Sequence, residues 1–387
     1  MHVLIIPSWY PKDKNDYRGS FFREQSIGIL KKGVKVGVIY PDLSSLKELS
    51  QIRIIPKICI EDDMGLKTYR ILWTNWFPKI MSLQISFYKI LGYLLFKFYV
   101  KKYGEPNLIH CHSVMMAGWL AEKISDKYQI PYIITEHSSG FFIGRYKNFY
   151  KEFSRIYNKS SLCLGVSSAL CDLLMTEIPS SPKWIAHNNM VSSSFFEAPI
   201  KVKSKKPFIF LTISNLIKHK NIPLLLNSFS IFNDRNPNSI LNIVGVGPEE
   251  TYLKNLSKSL NIDEVVFFLG RKTREEIIIE FNNANVFMLG TIYETFGIVI
   301  IEALSMGLPV IVTECGGSKD IMTKGIGKVT RQNDINDMTN SMFEIFNNYD
   351  SFKALKLRRY SKLKFSEQNL SNKLFDHYAK VIKSPIL

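Results

Sequence analysis

Short apolar runs alternate with helix-length amphipathic stretches through most of the chain, and this alternation restricts the fold more than any other feature. A run that is apolar at consecutive positions belongs to a strand buried on both faces, as in a parallel sheet whose crossover helices cover it. In the second half such runs fall at 208–213, 241–244, 265–269, 286–289 and 309–313, with helical patterns at 222–233, 249–260 and 273–282 between them. In the first half they fall at 3–6, 34–40, 108–110, 132–135, 162–166 and 184–188, with helices expected over 21–32 and 114–127. The pattern predicts two doubly wound α/β domains. The segment EAPIKVKSKKP (197–207) reads as an exposed basic linker and places the domains at 1–197 and 198–365. Helices near 334–348, 351–363 and 366–382 end the chain.

A length of 387 residues with 46% hydrophobic and 22% charged residues suits two full α/β cores. The five cysteines are scattered without a C-x-x-C pair, which fits a reducing cytoplasm better than a disulfide framework or a zinc site. MHVLIIPSWYP reads as a first strand rather than a secretion leader. The formal net charge of +16 is spread over both halves, with neither a concentrated basic run nor a nucleic-acid motif. Phosphate-bearing substrates or an anionic membrane surface account for it, and no nucleic-acid partner is expected.

The sharpest chemical signal lies in 284–320, ANVFMLGTIYETFGIVIIEALSMGLPVIVTECGGSKD, where Glu294 precedes a helix and Glu302 lies two turns into it on an apolar surface. Glutamate is seldom buried without a partner. Gly297 stands at the helix start, where free N–H groups favour an anion. A carboxylate beside a phosphate seat suits a ligand bearing both hydroxyls and phosphates, such as a nucleotide sugar.

Other candidates stand at strand ends, where ligands bind in open α/β sheets. Lys220 follows the 208–213 strand and is suited to clamp a diphosphate, with Asn215 and its amide nearby. Gly245 and Gly247 of GVGPEE resemble a phosphate turn without its third glycine. Arg271 and Lys272 follow the 265–269 strand, where backbone can read a base. For each cation taken singly, the alternative is a solvated surface charge. In the first half a long polar loop after the first strand carries Arg18, Gly19 and Ser20, as a close-approach turn or simply a turn with Ser20 as helix N-cap. Residues 41–78 read as irregular, with strand-like runs at 52–55 and 69–72. The 79–103 helix carries Lys79, Ser82, Ser86, Lys89, Tyr93, Lys97 and Lys101 on one stripe. Its internal lysines argue against a membrane span, leaving a sheet-packed helix or one dipping into lipid headgroups. His137 closes the 132–135 strand, and His110 and His112 share one face of theirs; a third ligand for a metal is missing, so no metal site is expected. Residues 141–160 read as a mobile loop and helix.

Several of these segments together resemble glycosyltransferase family 4: the E-x7-E spacing of Glu294 and Glu302, NIVGVGPEETYL, VVFFLGRKTREEI, WYP with RGSFFREQ, LIHCHSVMMAGWLA and IITEHSS. The resemblance covers most of the chain and implies a GT-B fold, two Rossmann-like domains facing across a cleft, with the last helix (366–387) crossing back to the N-terminal domain. It implies a retaining, metal-independent enzyme moving a sugar from a UDP- or GDP-sugar to a saccharide or lipid-linked saccharide, with no cofactor. Glu294 would bind the donor sugar's hydroxyls, with Thr295, Phe296, Gly297 and Ile298 at the sugar or phosphate. Glu302 would take the ribose, Lys220 the diphosphate, and His137 the sugar near its reacting carbon. Arg18, Gly19, Ser20 and His112 would line the acceptor side. Ser214-Asn215-Leu216 departs from the G-R-L triplet frequent in the family, which leaves Lys218 as a substitute second cation. A sugar-nucleotide epimerase and a non-catalytic sugar or lipid binder are the alternatives. A dinucleotide oxidoreductase is disfavoured because Pro7-Ser8-Trp9 stands where G-x-G-x-x-G belongs.

Overall fold

A computed structural model describes residues 1–13, 16, 18–44, 52–178 and 180–383. Parts of the polar loop after the first strand, of the 41–78 stretch and of the 366–387 segment lie outside these residues. The chain divides into two compact units, one built from Met1–Val166, Leu170–Met190 and the chain from Glu367 on, the other from Ser167–Ala169 and Val191–Ser366.

The first unit holds an eight-stranded sheet of β1 (His2–Pro7), β2 (Lys35–Ser44), β3 (Lys57–Asp63), β4 (Leu66–Thr74), β5 (Leu108–His112), β6 (Tyr132–Glu136), β7 (Leu162–Gly165) and β8 (Trp184–Ala186). Their order is β3-β4-β2-β1-β5-β6-β7-β8, parallel except for the β3–β4 hairpin. β1, β5 and β6 are buried at every position, which is why their apolar residues run consecutively instead of alternating with polar ones. The 52–55 run is not a strand; the hairpin strand begins at Lys57, and it alternates between exposed and half-buried residues because it is an edge with one wet face. The helix Met81–Tyr103 packs Ile85, Tyr88, Leu91, Leu95, Phe96 and Tyr99 inward. Gly37 and Gly92 admit that close packing, since a Cβ would lie 2.1 Å from the Tyr99 hydroxyl and 2.2 Å from Leu120 respectively.

The second unit holds six parallel strands, β9 (Phe208–Ile213), β10 (Ser239–Val244), β11 (Val266–Gly270), β12 (Val286–Leu289), β13 (Val310–Thr313) and β14 (Gly327–Thr330), ordered β11-β10-β9-β12-β13-β14. Leu225, Phe229 and Phe232 of the helix Ile222–Arg235, with Met338, Met342 and Ile345 of the helix Ile335–Asn347, close the core over Phe210, Leu241 and Met288. β14 has no counterpart in the sequence reading: GKVT is short and polar, and Gly327 is there because a Cβ would stand 2.0 Å from the Val310 carbonyl oxygen.

Each sheet reverses winding direction once, at β1/β5 in the first unit and at β9/β12 in the second. The crevice beyond the carboxyl ends of those strands is where an open α/β sheet receives ligands.

Candidate functional site

In the second unit the loops leaving β9 and β12 meet. A short 3-10 turn, Lys218–Lys220, ends on Asn221 with a left-handed φ of 51°, and this turns the Lys220 side chain back toward β12. Its ammonium lies 2.5 Å from Glu294 Oε2, each side chain being 17% exposed. Thr295 N–H donates to Glu294 Oε1 (3.1 Å), and Gly317 N–H donates to the Glu294 carbonyl (2.9 Å). The loops are further joined by Thr291 Oγ1 and Ile292 N–H, both donating to the His219 carbonyl, and by the His219 ring stacked on Tyr293 at 4.5 Å and 14°. Burial, then the neighbouring Lys220, lowers the His219 pKa, so the ring is neutral where it stacks. The sequence reading did not include His219, Thr291 or Tyr293. Only their placement beside Lys220 and Glu294 singles them out.

Gly297 (φ 90°) opens the helix Ile298–Ser305, and no side chain caps it. Phe296 is fully buried against Gly317, where a Cβ would lie 2.3 Å from the Phe296 Cα. The first-turn N–H groups therefore stand beside the Glu294 loop, and burial raises the pKa of the neighbouring Cys315 thiol. Glu302 sits midway along this helix, half-buried between Ile301 and Ala303.

The remaining candidates of this unit divide. Asn215 is exposed at the end of β9, as is Lys218. Gly245 (φ 136°) and Gly247 have a structural reason to be glycine, because a Cβ would lie 1.8 Å from the Ser214 carbonyl oxygen and 2.3 Å from that of Leu216. They let the β10 loop lie on the β9 loop. Lys272 faces Glu276 (3.7 Å) and Glu280 (3.9 Å) of the following helix, and Arg271 is exposed; both follow β11, the sheet's edge strand.

In the first unit the crevice gathers aromatic and imidazole rings. Gly19 (φ 77°) is the N-cap of the helix Ser20–Leu30, so Ser20 is its first residue rather than its cap, a correction to one sequence reading. A Cβ on Gly19 would lie 3.0 Å from Trp9, and Trp9 in turn packs on Phe22 (5.0 Å). Arg18 is mostly exposed and pairs with Asp16 (3.1 Å). Phe22 lies 4.8 Å from the His112 ring and 4.7 Å edge-on to that of His137, while Phe21 lies 5.0 Å from His137. His112 Nδ1 and His137 Nε2 share a hydrogen bond of 3.2 Å. Strand alternation puts His110 and His112 on one face, with ring centroids 4.0 Å apart. Desolvation holds all three imidazoles well below their ordinary pKa, so they are neutral. Among the described residues no group of three His, Cys, Asp or Glu converges as a metal would need.

Glu136 was passed over in sequence as the residue before His137. Its carboxylate is fully buried and accepts from the N–H groups of Val114 (2.9 Å), His137 (2.9 Å) and Ser138 (3.0 Å) and from the Tyr157 hydroxyl (3.3 Å). It ties the β5 loop to the β6 loop. Ser113 (φ 61°) and Met116 (φ 69°, ψ −65°) in the β5 loop adopt strained conformations that such ties maintain. The 141–160 segment is packed rather than open, with Phe141, Phe153, Ile156 and Tyr157 buried.

Two Rossmann-like parallel sheets in one chain, each gathering polar side chains at its switch point, define the GT-B fold. Residues 20–188 match the family described as Glycosyltransferase Family 4, and residues 194–363 that described as Glycosyl transferases group 1. The chain belongs to the family 4 glycosyltransferases. It is 24% identical to the putative teichuronic acid biosynthesis glycosyltransferase TuaC of Bacillus subtilis over 84% of both chains. Two uncharacterized glycosyltransferase relatives match it over 39% and 60% of their own lengths. Among solved structures, sucrose-phosphate synthase from Thermosynechococcus elongatus superposes with a TM-score of 0.78 at 18% identity, covering 98% of this chain and 99% of that one. Anabaena HepE in complex with UDP and glucose does so with a TM-score of 0.72 at 16% identity, covering 98% of this chain and 100% of that one.

Proposed function

We propose that the protein is a retaining, metal-independent hexosyltransferase. It moves a sugar from a UDP- or GDP-sugar to a hydroxyl of a saccharide or lipid-linked saccharide during synthesis of a bacterial cell-surface glycan. The observation that carries this reading is the Lys220–Glu294 pair at the β9/β12 switch point, beside an uncapped helix N-terminus. Departure of a nucleotide diphosphate puts negative charge on the leaving phosphate and positive charge on the anomeric carbon. A fixed ammonium and free N–H groups stabilise the first without reorganising. Glu294 accepts hydrogen bonds from sugar hydroxyls, Glu302 from the ribose, and His137 touches the sugar. Glu294 and Glu302 are therefore binding groups, and the departing phosphate takes the acceptor's proton. HepE, a fold neighbour, was crystallised with UDP and glucose, and TuaC is named for teichuronic acid synthesis, which agree with the donor class and the pathway class.

We further propose that the acceptor side works at the cytoplasmic face of a membrane. The helix Met81–Tyr103 leaves Ile90, Leu94 and Phe98 exposed in one i, i+4, i+8 row, and Trp76, Phe77 and Ile80 are exposed just before it. Lysines 79, 97, 101 and 102 are exposed in the same segment, a composition that suits a lipid headgroup layer. Among the described residues no helix is long and apolar enough to cross a membrane. Purified protein incubated with UDP- and GDP-sugars, lipid extract as acceptor and EDTA should release nucleotide diphosphate. Absence of release with every donor, with or without divalent metal, overturns the transferase reading in favour of a binding protein.

A further inference from the structure

The C-terminal helix Glu367–Lys383 belongs to the first unit, and it places one polar group in the core. Tyr378 is 1% exposed, and its hydroxyl lies 2.6 Å from His110 Nδ1. The opposite nitrogen, His110 Nε2, lies 2.7 Å from Thr135 Oγ1 on β6. A neutral imidazole offers one donor and one acceptor, so one of these two hydroxyls donates to the ring and the other accepts from it, which holds the ring in place. The His110 ring, held at both ends, packs against His112 with ring centroids 4.0 Å apart and planes tilted by 37°, and His112 Nδ1 meets His137 Nε2 at 3.2 Å. His137 Nδ1 is buried and has no partner among the described residues, and His112 Nε2 is likewise unpartnered. One proton lies between His112 Nδ1 and His137 Nε2. Its position decides whether His137 Nδ1 presents a donor or an acceptor.

We propose that Tyr378 is a positioning residue for His137: its hydroxyl fixes the His110 ring, His112 packs against that ring, and His112 in turn holds the His137 imidazole in one orientation through their hydrogen bond. The inference rests on the reading that His137 touches the transferred sugar. The C-terminal helix then has a chemical role beyond covering the sheet, since its tyrosine anchors the first of a series of packed imidazoles that ends at the crevice. Packing alone does not account for the hydroxyl, because phenylalanine would fill the same volume.

The test compares the full-length protein with Tyr378→Phe by histidine-selective 15N NMR and by steady-state kinetics, with His137→Ala alongside. In Tyr378→Phe we expect the ring-nitrogen resonances of both His110 and His137 to shift, and kcat to fall about tenfold while KM for the nucleotide sugar changes less than about twofold. Unaltered His137 ring resonances overturn the proposal, whatever the activity. Altered resonances with unchanged kcat, where His137→Ala is inactive, also overturn it. If His137→Ala retains full activity or the wild type transfers no sugar, the transferase reading of His137 falls. The NMR comparison then still decides whether Tyr378 sets the state of that ring. If Tyr378→Phe does not fold, Thr135→Val, which removes the other anchor of His110, must reproduce the His137 shift or the proposal fails.

Discussion

The Lys220 ammonium lies 2.5 Å from the Glu294 carboxylate, and 74 residues of chain separate them. The contact exists because β9 and β12 are neighbours, with the crossovers to β10 and β11 on one side of β9 and β13 on the other. The two side chains pair in a site that is mostly shielded from water, so both are held oriented before any ligand arrives. A nucleotide sugar then exchanges part of this ion pair for contacts to its phosphates and hydroxyls.

Replacing Lys220 with methionine leaves Glu294 without its cation. We expect kcat/KM to fall about 10²–10³-fold, as for loss of one preorganised electrostatic group. Stability should fall by about 1–3 kcal/mol, because the carboxylate is only partly solvated. Urea unfolding and initial rates measure the two, and the double variant Lys220→Met/Glu294→Gln should recover most of the stability but none of the activity.

Glu136 accepts four hydrogen bonds in a fully buried position. Glutamine at this site keeps the shape but turns an NH2 group toward N–H donors. Glu136→Gln should lose about 2–4 kcal/mol in urea unfolding, with activity falling as the His137 loop loosens. A loss below about 0.5 kcal/mol would mean that the β5 and β6 loops are held by something other than this carboxylate.

Acid should destabilise the first unit more steeply than its net charge suggests. Burial lowers the pKa of His110, His112 and His137 well below 6.5, and that of His187 to about 3. Below pH 6.5 the unfolded chain takes up protons that the native rings refuse, so stability is lost as pH falls from 6.5 toward 3, by about 1.4 kcal/mol per pH unit for each ring. Glu136 opposes this with one group, since burial raises its carboxyl above the unfolded value. Unfolding free energies between pH 7 and pH 5 give the slope, and His187→Gln should reduce it by about one proton.

Charge on the exposed apolar row should abolish membrane contact without harming the fold. Ile90 is 57% exposed and Phe98 46%, so Ile90→Glu/Phe98→Glu should alter the melting temperature by only a few degrees. Co-sedimentation with phosphatidylglycerol vesicles at low salt should drop about tenfold or more, each buried large apolar side chain contributing roughly 1.5–3 kcal/mol. Equal sedimentation of wild type and variant would remove the helix Met81–Tyr103 from the membrane proposal.

Much of this was legible before any coordinates. Strands 208–213 and 286–289 were read to the residue, because central strands covered on both faces read as nearly continuous apolar runs. The half-exposed hairpin strand Lys57–Asp63 and the short β14 were not, because edge strands mix polar and apolar residues and their pairing depends on a neighbour. Glu294 and Glu302 stood out by chemistry alone, being carboxylates in an apolar run. Gly245 and Gly247 looked like a phosphate turn, and only the approach of the 214–216 backbone showed a packing reason for both.

What the sequence determined by itself was local and periodic: two doubly wound sheets, the loops that carry chemistry, and the motifs of a glycosyltransferase family. Tertiary structure decided the partners. Lys220 rather than Lys218 reaches Glu294, Glu136 ties two loops together, and a tyrosine near the chain's end reaches a histidine 268 residues earlier. The physical reason is that apolar periodicity acts over a few residues, whereas an ion pair or a buried hydrogen bond depends on which strands the whole sheet makes adjacent.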